Sequence, residues 1–113
     1  MESKIFIPAD SQEWEVLGSG LERKVLGYTD DLMVVRVKFV KDGLAAMHAH
    51  PHTQSSYIAS GKYEFTVEGE TRIVTEGDGV LIKPNQQHSC LCLEPGIVID
   101  TFSPMREDFV TLH

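Results

Sequence analysis

His48, His50 and Gln54 stand close together in the run Gly43-Leu44-Ala45-Ala46-Met47-His48-Ala49-His50-Pro51-His52-Thr53-Gln54. His88 closes a second run, from Gly77-Asp78-Gly79 through Val80-Leu81-Ile82-Lys83 to Pro84-Asn85-Gln86-Gln87-His88. Residues i and i+2 of a strand share a face, so His48 and His50 can aim both imidazoles at one point. Gln54 has the same parity and can join them after a kink at Pro51. Imidazole nitrogens with one neutral oxygen suit Zn, Ni, Fe, Mn or Cu. A lone His-X-His is more often a solvated pair than a ligand pair, and the second run is what turns the reading toward a metal. Its Gly-Asp turn, apolar triplet and Pro84-Asn85 read as a buried strand, a tight turn and a histidine that opens the next strand. One divalent transition metal is therefore expected. His52 shares the parity but is expected in solvent, because Pro51 breaks the strand, and Asp78 is expected to serve a turn.

Those side chains need a scaffold of strands, and the remaining sequence reads as one. Arg23 to Thr29 and Leu32 to Lys41 flank the turn signal Asp30-Asp31, and Met33, Val35, Val37 and Phe39 alternate with their neighbours in the period of a half-buried strand. Tyr57 to Ser60 ends at Gly61. Tyr63 to Val67 and Thr71 to Thr75 bracket Glu68-Gly69-Glu70, a hairpin connection. Gly79 to Lys83, His88 to Leu93 and Ile97 to Phe102 complete the set, with Pro95-Gly96 as a turn. Short strands at this spacing predict an all-β sandwich or barrel. Pro104 to Phe109 is expected to make a short helical turn with Ser103 able to cap it. Ile5, Ile7, Trp14, Val16 and Leu17 suggest a packing segment over residues 1–22, along the barrel edge or across a dimer interface.

The 113 residues predict one domain, 1–113, with the metal motifs in 43–61 and 77–92. A net charge of -7 with scattered Lys and Arg argues against nucleic acid. The absence of a long apolar run argues against a membrane, and the start Met1-Glu2-Ser3-Lys4 does not have the layout of a secretory signal. The two cysteines, Cys90 and Cys92, are i and i+2 neighbours that do not bridge readily, which favours a reducing, cytoplasmic compartment. Both share the parity of His88 and are expected in the core rather than on the metal.

The paired motifs resemble those of the cupin superfamily: His-X-His with a downstream carboxylate or amide, then Gly-Asp, Pro and a final His. The resemblance implies a double-stranded antiparallel β-barrel, the cupin β-helix, with one metal inside. Gln54 stands where many cupins have Glu, and Asn85 where a glycine is common. A closer likeness, carried by Gly27-Tyr28-Thr29-Asp30-Asp31-Leu32-Met33, the histidine run and Asp100-Thr101-Phe102-Ser103-Pro104-Met105-Arg106-Glu107-Asp108-Phe109, is to the KdgF-type cupins of pectin and alginate breakdown. Those enzymes open the ring of 4,5-unsaturated uronic acid monosaccharides to linear keto-uronates. The resemblance implies His48, His50, Gln54 and His88 as ligands of one divalent ion (Zn, Ni, Mn or Fe), Asp100 as acid/base and Phe102 as the aromatic site residue. It places Arg106 where it could meet the sugar carboxylate.

The residues themselves bear on those roles. Asp100 and Phe102 are i and i+2 on the last expected strand, on one face with Val98. An aspartate among Val98, Ile97, Ile99 and Phe102 is out of place unless partnered, because an ionised carboxylate is costly in apolar surroundings. An aspartate on an edge strand facing solvent is the competing structural reading, and core packing is the competing reading for Phe102. In function, an iron-dependent dioxygenase or a sugar- or metal-binding module without turnover competes with the ring-opening enzyme. A homodimer is expected, since a barrel this small has strand edges that need covering.

Overall fold

A computed structural model describes residues 1–110. Apolar and polar side chains alternate along its strands, and the apolar faces meet between two antiparallel sheets. The strands are β1 (Glu15–Gly18), β2 (Leu21–Tyr28), β3 (Met33–Phe39), β4 (Leu44–His48), β5 (Thr53–Ile58), β6 (Lys62–Val67), β7 (Glu70–Thr75), β8 (Gly79–Ile82), β9 (His88–Glu94) and β10 (Gly96–Ser103). One sheet has the order β1-β2-β3-β10-β5-β8 and the other β4-β9-β6-β7. This is the all-β, double-stranded barrel that the paired motifs imply. None of the described helices is long and apolar enough to cross a membrane.

Strand β3 shows the cause most plainly: Met33, Val35, Val37 and Phe39 are buried while the residues between them are half-exposed. Its partner β10 places Val98 opposite Val37, Asp100 opposite Val35 and Phe102 opposite Met33. On its other side β10 pairs with β5, setting Asp100 beside Ser56 and Phe102 beside Gln54. Asp100 therefore lies on a strand paired on both sides, not on an edge facing solvent. At the far end of the core Phe39 meets Tyr63 edge to face at 5.1 Å, and the Tyr63 hydroxyl donates to the Ser60 carbonyl at 2.9 Å. Cys90 and Cys92 are buried and free.

Four local features differ from the reading of the sequence. Strand β5 begins at Thr53 rather than Tyr57, because its alternation of Gln54, Ser56 and Ile58 buries two polar residues and hides the apolar period. Strand β1 forms within the undecided N-terminal segment by pairing with β2. The turn after β10 is a 3-10 helix over Glu107–Phe109 with Arg106 at its N-cap position and no side-chain cap, so Ser103 does not cap it. His52 is half-buried rather than in solvent, because the chain leaving Pro51 folds back over Phe102. The β6–β7 hairpin turns on Glu68 and Gly69, both with positive φ, as a two-residue type I′ connection demands.

Candidate metal centre

His48 ends β4 and sits directly opposite His88 at the start of β9. His50 lies in the loop that follows β4, and Gln54 is the second residue of β5. The two motifs are tied together by the backbone, since the Asn85 N–H donates to the His50 carbonyl at 2.8 Å. Asn85 itself has φ 66°, a left-handed conformation open to glycine and, among other residues, mainly to Asn and Asp. That explains why asparagine can replace the glycine common after this proline.

The ligand atoms of His48, His50 and His88 all lie within 4.8 Å of one another. Their outward nitrogens are already committed at two of the three rings. His48 Nδ1 donates to the Ala46 carbonyl at 2.7 Å, and His88 Nδ1 donates to the Gln86 carbonyl at 2.9 Å. A carbonyl can only accept, so these bonds fix the proton on Nδ1 and leave Nε2 as a bare lone pair. His88 Nε2 is buried and has no protein partner among the described residues. The Nε2 lone pairs of His48 and His88 thus converge in a place that suits a cation. His50 Nε2 donates to Gln54 Oε1 at 2.9 Å, while its Nδ1 is buried without a partner among the described residues and can carry the ring proton instead. Two atoms ~2.1 Å from one shared ion and at right angles to each other would be separated by ~3.0 Å, so the pair also suits a common ion. Burial is the main cause that holds His50 down to about 4 and His88 below its ordinary range, with neighbouring Arg106 and imidazoles adding to it. Both rings are thus the neutral species that a metal needs. The residues present fit one divalent transition ion; histidine nitrogen with a neutral oxygen does not select among Zn, Ni, Mn and Fe.

From Gln54 a hydrogen-bond chain leads to the carboxyl. Gln54 Nε2 donates to Ser56 Oγ at 3.0 Å, and Ser56 Oγ donates to Asp100 Oδ1 at 2.6 Å. Asp100 is enclosed by protein on most sides but keeps an edge on an open cavity of ≈ 230 Å³. Burial raises its pKa to about 6, against the opposing pull of Ser56, Gln54, Arg106 and His48. His48, Gln54, His88, Phe102 and Arg106 line the same cavity. Phe102 is 3% exposed and packs edge-on to His50 at 5.7 Å, so it is both core and cavity wall. The volume falls below the ~300–1,000 Å³ of sites for drug-sized ligands, a size suited to a monosaccharide.

All seven residues singled out from the sequence converge here. Others were not anticipated. Ser56 links Gln54 to Asp100, and its parity with Gln54 was the available signal. Arg23 also lines the cavity, opposite Val37 in β3, with its Cζ 3.6 Å from the centre of the Phe109 ring. A cation alternating with Leu21 and Val25 could have pointed to it. Arg106 lies 4.4 Å from the centre of the same ring and 5.1 Å from that of Phe102. Cys90 lines the cavity as well, but burial pushes its thiol far up, so it stays an inert packing residue.

Comparison with known proteins bears on the family and the fold. The family model described as a cupin domain matches residues 35–102. The chain is 44% identical over 103 residues to the pectin degradation protein KdgF of Dickeya dadantii (strain 3937), covering 89% of this chain and 94% of that protein. Among solved structures, an RmlC-like cupin from Shewanella frigidimarina NCIMB 400 superimposes with a TM-score of 0.94 at 40% identity, over 96% of this chain and 98% of that one. KdgF from Halomonas sp. superimposes with a TM-score of 0.90 at 34% identity, over 96% and 100%.

Proposed function

Because the chain belongs to the cupin superfamily and, within it, to the KdgF family, we propose that it acts in pectin or alginate catabolism by opening 4,5-unsaturated uronic acid monosaccharides to linear keto-uronates. The observation that carries this reading is Asp100, a carboxyl with its pKa raised to about 6 inside a sugar-sized cavity beside three converging imidazoles. The substrate is a cyclic enol ether with a hemiacetal hydroxyl at C1. Loss of the hydroxyl proton, cleavage of the C1–O5 bond and protonation at C4 leave an aldehyde at C1 and a ketone at C5. One proton departs and one arrives, so the change is an isomerisation without redox. Asp100 accepts the hydroxyl proton and returns one to C4, and a pKa near neutrality serves both directions. Ser56 holds the carboxyl in place. Phe102 packs against the sugar ring and keeps water from it. A divalent ion on His48, His50, Gln54 and His88 supplies positive charge to the substrate's oxygen atoms.

The test is the fall in ultraviolet absorbance of a freshly made unsaturated galacturonate, corrected for its spontaneous opening. Wild-type protein should accelerate it, and Asp100→Asn should lose about 10²-fold or more while keeping its metal. No acceleration with Zn, Ni, Mn or Fe supplied would reject the enzyme.

Assembly follows from the N-terminal segment. Ile5 and Phe6 are 91% and 84% exposed, and β1 is an edge strand with Val16 72% exposed. A second copy covering these side chains would form a homodimer through residues 1–22. Sedimentation as a monomer at micromolar concentration would refute it. Two free buried thiols suit the reducing cytoplasm.

A further inference from the structure

Two guanidinium groups reach the cavity wall, and their hydrogen bonding differs. Arg106 gives Nε and Nη2 to the two oxygens of Asp108 at 3.1 and 3.0 Å. One of the two edges with which an arginine grips a carboxylate, Nε with Nη2, is therefore occupied by Asp108. Among the described residues Arg23 gives one side-chain hydrogen bond, from Nη2 to Glu15 Oε1 at 2.8 Å. Its Nε is buried and has no partner among the described residues. A buried N–H of a charged group left unmatched is unfavourable, and it marks where a ligand acceptor would be gained.

Arg23 is also held ready for a ligand. Register places it opposite Val37 in β3 and opposite Glu15 in β1, which turns the side chain inward and fixes one end of the guanidinium. The Phe109 ring lies against its plane. We propose that Arg23 is the residue that anchors the substrate carboxylate, with Glu15 and Phe109 as positioning residues. The proposal rests on the uronate reading above and names the residue that selects a uronate over a neutral sugar. It moves the carboxylate from Arg106, where the resemblance of the tail would put it, to the arginine whose buried Nε is unmatched among the described residues. A planar monoanion is the ligand class that fits, since a phosphate dianion would bring more negative charge toward Asp100.

The experiment is titration of the metal-loaded full chain with D-galacturonate and with neutral D-galactose, followed by calorimetry or NMR, which needs no turnover. Wild type should prefer galacturonate. Arg23→Met should weaken galacturonate binding about ten- to hundredfold, the scale of a charge-assisted hydrogen bond, and leave galactose unchanged. Arg23→Lys, which keeps the charge but loses the planar fork, should fall between. Should Arg23→Met not fold, Glu15→Gln with Arg23→Gln removes the ion pair as a unit and carries the same expectation. A folded, metal-bearing Arg23→Met protein that binds galacturonate like wild type overturns the proposal. So does loss of the preference in Arg106→Met but not in Arg23→Met, or turnover of an unsaturated uronate by a wild type with no preference for galacturonate. A wild type that shows the Arg23-dependent preference but no turnover supports the anchor and rejects the ring-opening reading instead.

Discussion

Asp100→Asn should make the protein more stable while making it less active. The wild-type carboxyl titrates near 6 in the fold against 3.8 for the ordinary group, because burial disfavours its ionised form. The difference of about two pH units corresponds to ~3 kcal/mol at ~1.36 kcal/mol per unit. The sign follows from linkage. A folded state that holds its proton more tightly than the unfolded chain loses stability as pH rises from the unfolded value through the folded one. Above about pH 6 the wild type thus carries the whole cost of an ionised, buried carboxylate, and below about pH 4 it carries none. Asparagine does not ionise and keeps the oxygen that accepts from Ser56, but its amide N–H needs an acceptor that the carboxylate did not. The net gain at pH 7.5 should therefore be ~1–3 kcal/mol, the unmatched amide removing part of it.

Thermal melting in excess chelator is the assay, so that metal linkage does not enter. A gain of ~1 kcal/mol raises the midpoint by ~4 °C or more in a domain of about this size. The increment should be present at pH 7.5 and mostly gone by about pH 4.5, where the wild-type carboxyl is protonated in the fold. Other groups that titrate in this window, His50 among them, shift both proteins alike and cancel in the difference. An Asp100→Asn protein that melts at or below wild type at pH 7.5 would refute the reasoning. An increment of the same size at both pH values would show that ionisation of Asp100 is not its source.

Other expectations follow from the same geometry. His88→Ala removes a buried ring nitrogen that has no partner among the described residues, so elemental analysis should find most of the divalent ion gone; a full complement would remove His88 from the ligand set. Gln54→Ala should weaken metal binding less, with activity recovered in part by added metal, and the same activity without added metal would argue against the amide as a ligand. Asn85→Val should cost ~1–2 kcal/mol in urea unfolding because a β-branched residue is strained at positive φ, whereas Asn85→Gly should stay close to wild type. Phe102→Ala should raise KM and also lower the melting temperature, since the ring is both cavity wall and core; a change in KM alone would deny it the packing role.

What could be read from the chain was set by how far each feature depends on local pattern. The alternation of Met33, Val35, Val37 and Phe39 is complete within one strand, and β3 formed where the period predicts it. His48 and His88 were legible because each belongs to a run whose turn and strand signals are nearby, though their placement opposite each other is a register fact that no local pattern contains. Asp100 announced itself as a misplaced carboxylate among apolar neighbours, but its setting on a strand paired on both sides came only from the sheet order.

The residues that escaped notice or were misplaced are those whose roles arise between elements. Ser56 looks like an ordinary strand residue until β5 pairs with β10 and its hydroxyl meets Asp100 at 2.6 Å. His52 is brought beside Phe102 by a loop whose path Pro51 alone does not specify. Arg23 draws attention only when β1 brings Glu15 to it and the turn after β10 lays Phe109 against it, contacts drawn from both ends of the chain. The same dependence gives a protein of net charge -7 a cavity with basic residues at its wall: the long-range register gathers Arg23 and Arg106 there, while the acidic residues that set the overall charge are mostly spread over the exposed surface. Overall charge governs encounter at a distance, and the local cluster governs what is held.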